Sequence, residues 1–575
     1  MDKNTWIGFI LIAAIFVGFM FIQRPSKAEL AERQRVQDSI NLVQMVQAEA
    51  QRISDSISAA TPTEEAEVAT VEESKPEEQW ITLQNEKLRL TLSTYGGAIQ
   101  RAELLEYHAS GDSVNPLCLF RADESSFGFT LITINNRILH TSDLIFMPVE
   151  TAEPNKAIMR LPGATEDAWL DFVYELSDDY MVHLALVPHN MQNELAQNIN
   201  SLELQWRQLI PQQEQGRKFE ERYAQLQYML VGGDMEKLSE TKDDSEKEST
   251  RIKWIGYKDQ FFSTVLIADD AFAGGQFTST VQSKHSGYIK EYNTLTSVPF
   301  DLTGKTETGF RFYCGPNHYH TLKAYDEGAA KEDKLNLNKL VPLGWKIVSW
   351  INVILVIPMF DLFSSWGLHI GIVILLMTIV IKLIILPFVF VSYKSSAKMR
   401  ALKPQIDAIN EKFPAEMMQE RQQATMQLYQ QAGVNPMSGC LPMLFQFPVL
   451  MAMFWFLPTA IELRGKSLLW APDLSTYDAI LHWNFNIPLL GDHLSLFCLL
   501  MTIANFGYTY VTMQSQATDP NMKFMKYMMY AMPLMFLFIF NDYAAGLSYY
   551  YLLSLFITIM QTMIFRWALD DEKML

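Results

Sequence analysis

Cysteine is scarce in this 575-residue chain, and the four present, Cys118, Cys314, Cys440 and Cys498, form no Cys-x-x-Cys pair. A zinc ribbon and a thioredoxin-type centre are thereby excluded. Bases are short as well: 46 against 64 acids, a net charge of −18, which argues against a sequence-specific nucleic-acid binder. There is no P-loop, no HExxH and no intramembrane Gly-x-Ser-Gly, and Ser438-Gly439 lacks the flanks of a nucleophile elbow. An ATP-driven pump and a membrane protease are therefore disfavoured, and no cofactor or metal is called for. The shortage of bases is local. From Leu335 onward there are 15 bases and 14 acids, whereas the first 334 residues hold 31 and 50, a net of −19. A mean hydropathy near zero thus averages an acidic soluble part and a greasy second half, and a wholly soluble protein is excluded.

About 20 apolar residues are needed to cross the hydrocarbon of a bilayer. Trp6–Ile22 meets this between Lys3 and Arg24, and without a small-x-small cleavage site it is read as an uncleaved anchor, residues 1–24. Residues 25–79, including TPTEEAEVATVEESKPEE, form a polar and acidic linker. Ile347–Phe360 is too short to span comfortably, so residues 336–365 are expected to form an interfacial helix. Further spans are expected at Trp366–Val391, Met437–Ile461, Leu494–Met513, Tyr527–Asn541 and Leu547–Phe565, giving six in all, with a tail at 567–575. Basic residues in 392–435, together with Lys523 and Lys526, place those loops and both termini inside; Arg24, Lys27, Arg33 and Arg35 oppose this, and the later loops decide.

Residues 80–335 change texture. Leu88, Leu90 and Leu92 alternate with polar residues and Tyr95-Gly96-Gly97 supplies a turn. Similar strands are expected at Ile138–Val149, Trp169–Leu176, Met181–Val187, Leu202–Leu209, Phe261–Ile267 and Gly309–Tyr313. The fold class is a multi-span α-helical membrane protein with six transmembrane helices and a large all-β exported sandwich domain. His318 and His320 read as surface residues rather than a metal site. Cys118 and Cys314 either pair or remain free buried thiols.

Two features carry chemistry. In Ser395–Phe413, Met399, Leu402, Ile406, Ile409 and Phe413 share one helix face while Lys398, Arg400 and Lys403 point elsewhere. A break at Pro414 and a second helix, Glu416–Ala432 with Met417 and Met418, complete a basic hairpin. It either lies on anionic lipid or docks a ribosome or client segment. Lys382 is the second feature, about 14 Å inside the cytoplasmic end of its span. A charge there costs at least about 2.5–3.5 kcal/mol and faces a bundle interior or a wet cavity, unless the lysine snorkels to the headgroups. Thr378 shares its face, and Gln446, Thr502, Asn505, Ser554, Thr558 and Gln561 are further intramembrane polar groups.

The run Met377–Pro387 around Lys382, Ser396–Pro404, Gly433–Pro448, Ala545-Gly546-Leu547 with Tyr549–Tyr551, Trp254–Thr264 and Tyr313-Cys-Gly-Pro316 together resemble the YidC/Oxa/Alb3 membrane insertases, long Gram-negative type. The resemblance covers nearly the whole chain except the linker. It implies an ATP-independent insertase and chaperone of the bacterial inner membrane, not an enzyme, with a periplasmic β-supersandwich and a hydrophilic groove sealed toward the periplasm. Lys382 matches the groove arginine of many members, and lysine lacks that residue's bidentate fork. Thr378 and Tyr551 match other groove positions, with Gln446 and Asn505 as candidate lining. The implied partners are nascent membrane proteins, the ribosome, membrane lipids and the Sec translocon (SecYEG and SecDF). A secondary transporter predicts internal symmetry, and no repeat is visible among the late spans. An anchored receptor would leave Lys382 and the hairpin without a purpose.

Overall fold

The computed structural model describes residues 77–413, 417–433, 441–487, 490–514 and 523–568. The first apolar run, the linker up to Pro76, and Cys440 lie outside them.

Alternation builds the first half. Leu88, Leu90 and Leu92 are fully buried in the strand Leu88–Ser93, while Arg89 and Thr91 between them are not. Sheets of nine, six and four strands follow from Trp80 to Pro316. The central strand of the larger sheet, Thr308–Pro316, pairs antiparallel with Phe262–Phe272 and Met181–His189. In the six-stranded sheet, Ser201–Pro211 pairs antiparallel with Tyr288–Pro299 and Ser125–Ile132.

Aromatic rings join the two large sheets. Phe127 meets Phe312 at 5.1 Å, Phe129 meets Phe172 at 5.7 Å, and Tyr228 stacks on Phe277 at 4.5 Å. Trp206 stacks on Tyr257 at 3.6 Å, and the buried Tyr257 hydroxyl donates to the Trp206 carbonyl at 2.7 Å, so this polar atom of the core is satisfied. An all-β domain is therefore as expected, with one correction. Ile138–Val149 is not one strand: Ile138–His140 belongs to the six-stranded sheet and Met147–Val149 to the nine-stranded one. A 3₁₀ turn at Thr141–Asp143 separates them, held where buried Thr141 accepts the Phe129 N–H at 2.8 Å. Cys118 and Cys314 are free thiols; burial pushes Cys314 up to about 12 and makes it unreactive.

The helices are α1 (Arg217–Tyr223), α2 (Tyr319–Ala324), α3 (Lys346–Ser364), α4 (Ile370–Ala401), α5 (Lys403–Lys412), α6 (Met418–Gln431), α7 (Leu441–Phe456), α8 (Leu496–Gln514), α9 (Lys523–Phe540) and α10 (Ala545–Ala568). The described residues from Glu78 to Gln514 and from Met529 onward share one compact unit. α3 is longer than the charge-free run suggested, because a π turn at Asn352–Val356 lets Pro358 enter as the second residue of a fresh helical segment. Its 19 residues suit a membrane crossing by length and composition, as do Ile370–Met399 and Ala545–Ala568. Phe445–Thr459, Leu496–Thr512 and Tyr527–Phe540 are shorter apolar helices.

The basic hairpin also differs. Ser395 does not start a new helix; α4 runs on through Ala401, since Ala397-Lys-Met-Arg-Ala401 contains only good helix formers. The break falls at Leu402, and Pro404 enters as the second residue of a fresh helix, where its missing N–H costs no intrahelical bond. Of the predicted face, Met399, Leu402, Ile406, Ile409 and Phe413 are covered at least in part and Lys412 opposite is exposed, but Lys398 is half-buried like Met399 and the break at Leu402 divides the stripe between α4 and α5. Gly433 closes the second helix at φ +62, as its place in the sequence suggested. An antiparallel strand pair, Ala479–Ile487 with Gly491–Ser495, was not foreseen.

Gly97 tests the packing of the β-domain core. It has φ +61, and an added Cβ would lie 2.8 Å from the Phe146 ring. Gly97→Ala is expected to destabilise the domain by about 3 kcal/mol, from backbone strain plus overpacking. Gly111→Ala, at φ +83 in open space, is expected to cost only about 1 kcal/mol. Thermal unfolding of the full chain followed by tryptophan fluorescence separates the two; equal shifts would contradict this account.

Candidate functional site

α4 carries one protein-facing stripe. Val373, Ile374, Met377, Ile381 and Ile385 are buried on it, while Ile379, Leu383 and Ile384 point outward. Thr378 and Lys382 belong to the buried side, at spacings of four from Ile374. Lys382 is 3% exposed, about 18 Å along the axis from the start of α4. Its ammonium donates to Thr558 Oγ1 of α10 at 2.8 Å. Thr558 in turn donates to the Ser554 carbonyl at 2.7 Å, so one hydroxyl accepts from the charge and passes its own proton back into its helix.

The other predicted residues gather less tightly. The Thr378 hydroxyl is turned back to the Ile374 carbonyl at 2.7 Å. Tyr551 packs on Phe540 at 5.4 Å, and Gln446 and Asn505 are half-buried. Among the described residues no hydrogen bond joins any of these three to Lys382. In the hairpin region, Lys398 and Met399 are half-buried in the last turns of α4, Arg400 also belongs to α4, Lys403 opens α5, Met417 is exposed at the turn and Met418 opens α6.

At the other end of the helices a polar knot closes the bundle. Asp478 accepts the Phe497 N–H at 2.8 Å, the Trp470 indole at 2.7 Å and the Ser495 hydroxyl, which caps the positive end of α8. Asn541 accepts the Ser495 N–H at 2.9 Å and donates to the Leu490 and His493 carbonyls at 2.8 Å each.

A second polar centre, which sequence patterns did not single out, joins the β-domain to the helices. Glu214 pairs with Arg464 at 2.7 Å, both nearly buried, and Gln260 donates to the Pro458 carbonyl at 3.0 Å. His318 and His320 each meet an acid of the helical half, Glu462 at 3.2 Å and Asp361 at 2.8 Å. Beside Glu214 lie buried Glu220 and Asp259; among the described residues, neither Asp259 oxygen nor Glu220 Oε2 finds a donor. Burial raises Glu214 to about 7 against the pull of Arg464. Burial first, then the charges of Asp259 and Glu214, hold Glu220 well above the carboxylate range. Lys258 and Lys290 close the negative end of α1 by donating to the Tyr223 and Ala224 carbonyls, each at 2.7 Å, and burial lowers them to about 7 and about 8. Long-range pairings of this kind leave no local signature beyond the charged residues themselves.

These features define an integral membrane protein whose buried lysine sits within a helical bundle and whose large all-β domain is clamped onto one end of it. Residues 80–358 match the YidC periplasmic domain family, and residues 361–572 match the 60Kd inner membrane protein family. The chain is 47% identical to Membrane protein insertase YidC of Parabacteroides distasonis, over 100% of this chain and 94% of the relative. It is 45% identical to the protein of that name in Bacteroides fragilis, over 100% and 93%, and 44% identical to that of Phocaeicola vulgatus, over 98% and 91%. The chain belongs to the YidC family of membrane protein insertases.

The junction makes stability depend on pH. Glu214, Glu220 and Asp259 keep protons in the folded chain that the unfolded chain releases above about pH 4.5, so stability falls as pH rises toward 7. His318, raised chiefly by its hydrogen bond to Glu462, acts in the same direction above about pH 6.5. Lys258 and Lys290 act oppositely above 7, where the folded chain loses protons the unfolded chain retains up to about 10.5. A minimum near neutrality is expected. Glu214→Gln should flatten the acidic arm by up to about 1.4 kcal/mol per pH unit, read as unfolding midpoints at pH 5, 6 and 7. An unchanged slope would remove Glu214 from the account.

Proposed function

We propose that this insertase works by giving the polar segments of nascent membrane proteins a hydrated station around Lys382, from which their apolar helices pass into lipid without nucleotide hydrolysis. The observation that carries this is the buried ammonium itself, bonded to a hydroxyl rather than a carboxylate. A charge without a counter-charge at that depth is costly unless water reaches it. The same charge lowers the barrier for an acidic or polar client tail partway across. The client's hydrophobic segment then moves down its own transfer gradient, about 25 cal/mol per Å² of apolar area. Thr378, Tyr551, Gln446 and Asn505 line the station. The polar knot at Asp478 and Asn541 supports closure of its outer end, leaving access from the cytoplasm and from lipid.

In the same reading the chain crosses the membrane six times, with Trp6–Ile22 as the first span, and both termini are cytoplasmic. Residues 80–335 stand in the periplasm. The α5–α6 hairpin projects inward from the end of α4, and Lys398, Met399 and Arg400 at that end, with Lys403, Met417 and Met418 of the hairpin, receive clients from the ribosome. The Sec translocon is a partner for clients with large exported parts.

Proteoliposomes holding the purified chain and a single-spanning client with an acidic exported tail provide the test, with translocation read by protease protection. Wild type and Lys382→Arg are expected to insert; Lys382→Ala should lose about tenfold or more and Lys382→Glu should fail. Thr558→Val should weaken insertion less than Lys382→Ala. Equal insertion by all variants would show that Lys382 is not the working charge.

A further inference from the structure

A cleft of about 590 Å³ opens where the β-domain meets α3 and α7. Its two sides differ. Trp345, Val353, Phe454 and Trp455 form the helical side. The other side carries Arg222, Lys237, Lys258 and Lys339 against a single acid, Glu240. Basic residues thus outnumber acids four to one on this side, and three of the four bases lie in the first 334 residues, whose net charge is −19. Only Lys237 meets the acid, at 3.1 Å; Arg222 donates to the Tyr543 hydroxyl at 2.6 Å, Lys258 to the Tyr223 carbonyl and Lys339 to the Gly233 carbonyl at 2.8 Å. Arg222 and Lys339 are thus held by neutral oxygens and retain their attraction for an anion, while Lys258, which burial lowers to about 7, adds a partial charge.

A second observation is independent of charge. Gln227 lines the same cleft and is almost fully buried; its amide nitrogen donates to Gln225 at 3.2 Å, but its amide oxygen has no hydrogen-bond partner among the described residues. A buried acceptor left open calls for a ligand that brings a donor. A third concerns position. α3 exposes Ile347, Trp350 and Ile354 beside Trp345, the mixture of tryptophan and aliphatic residues found at a water–lipid boundary. The volume far exceeds one phosphate ion, and the lining passes from basic to apolar.

We propose that this cleft binds an anionic glycerophospholipid of the outer leaflet. Its phosphate lies toward the basic side, a headgroup hydroxyl toward Gln227, and the first acyl carbons against Val353 and Phe454. Such a lipid would tie the exported domain to the membrane surface at the place where the two halves of the chain are clamped. The site is separate from Lys382, and its test does not depend on insertion activity.

The experiment uses the delipidated full chain in detergent, with lipid retention read by native mass spectrometry. The probes are dioleoylphosphatidylglycerol, dioleoylphosphatidylcholine and glycerol 3-phosphate. Wild type should retain the anionic lipid about fivefold or more over the zwitterionic one, since each basic residue near a lipid surface is worth about that factor. Lys237→Glu combined with Lys339→Glu, both exposed positions, should abolish the preference without moving the unfolding midpoint. If the double variant does not fold, Lys339→Gln alone decides, with an expected loss of a few-fold. No preference in wild type, or a preference that survives the variants, overturns the proposal. Displacement of the lipid by millimolar glycerol 3-phosphate would also overturn it, because the cleft would then take a soluble anion.

Discussion

Hydrocarbon supplies no hydrogen bonds, so each polar group carried into the bilayer must find its partner in the protein or in trapped water. The helical half follows this constraint closely. Thr378, Thr502, Thr558 and Thr562 each return their hydroxyl proton to the carbonyl four residues earlier, which satisfies them inside their own helices. Lys382 has no such option. Its helix places it on the buried stripe, and its bond to Thr558 gives it a dipole in place of a counter-charge. Lys382 is thus a cation at depth answered by a dipole, among helices in which these four threonine hydroxyls close on themselves while Ser364 Oγ and Ser548 Oγ find no partner among the described residues.

A hydrogen-bonded knot closes one end of the bundle. Asp478 and Asn541 gather the start of α8, the end of α9 and the strand pair between α7 and α8 into one hydrogen-bonded knot. The β-domain is fixed to the same end through Glu214–Arg464, Gln260, His318 and His320. Several of these contacts are charged and buried, an arrangement that contributes more to a defined geometry than to net stability. Glu220 and Asp259 lie together in burial, which raises both above the ordinary carboxylate range, so a proton held between them takes the place of a counter-charge.

Much of this was legible in the residue order. Period-two alternation at Leu88–Leu92 marked strands, uninterrupted apolar runs marked the late helices, and the spacing Met399–Leu402–Ile406–Ile409–Phe413 gave the covered face of the hairpin. The exceptional character of Lys382 was also visible, because a charge inside an apolar run is conspicuous without coordinates. Three local features were misjudged: in two the deciding element was a distant contact or a rare backbone form, and in the third a run of good helix formers was divided too early. Thr141 breaks a strand by bonding to Phe129, a π turn admits Pro358 into α3, and Ser395–Ala401 continues α4 because nothing stops it before Pro404.

Sequence by itself thus determined the division into an exported β-domain and a helical membrane half, the place of most elements and the residue whose charge is out of keeping with its surroundings. Those properties depend on neighbours within a few residues, where periodicity and composition act. Only the tertiary structure decided that Lys382 meets Thr558, that Cys118 and Cys314 stay apart, and that acids and bases more than 200 residues distant in the chain clamp the halves together. Pairings across such separations are set by how whole sheets and helices pack, and no local pattern encodes them.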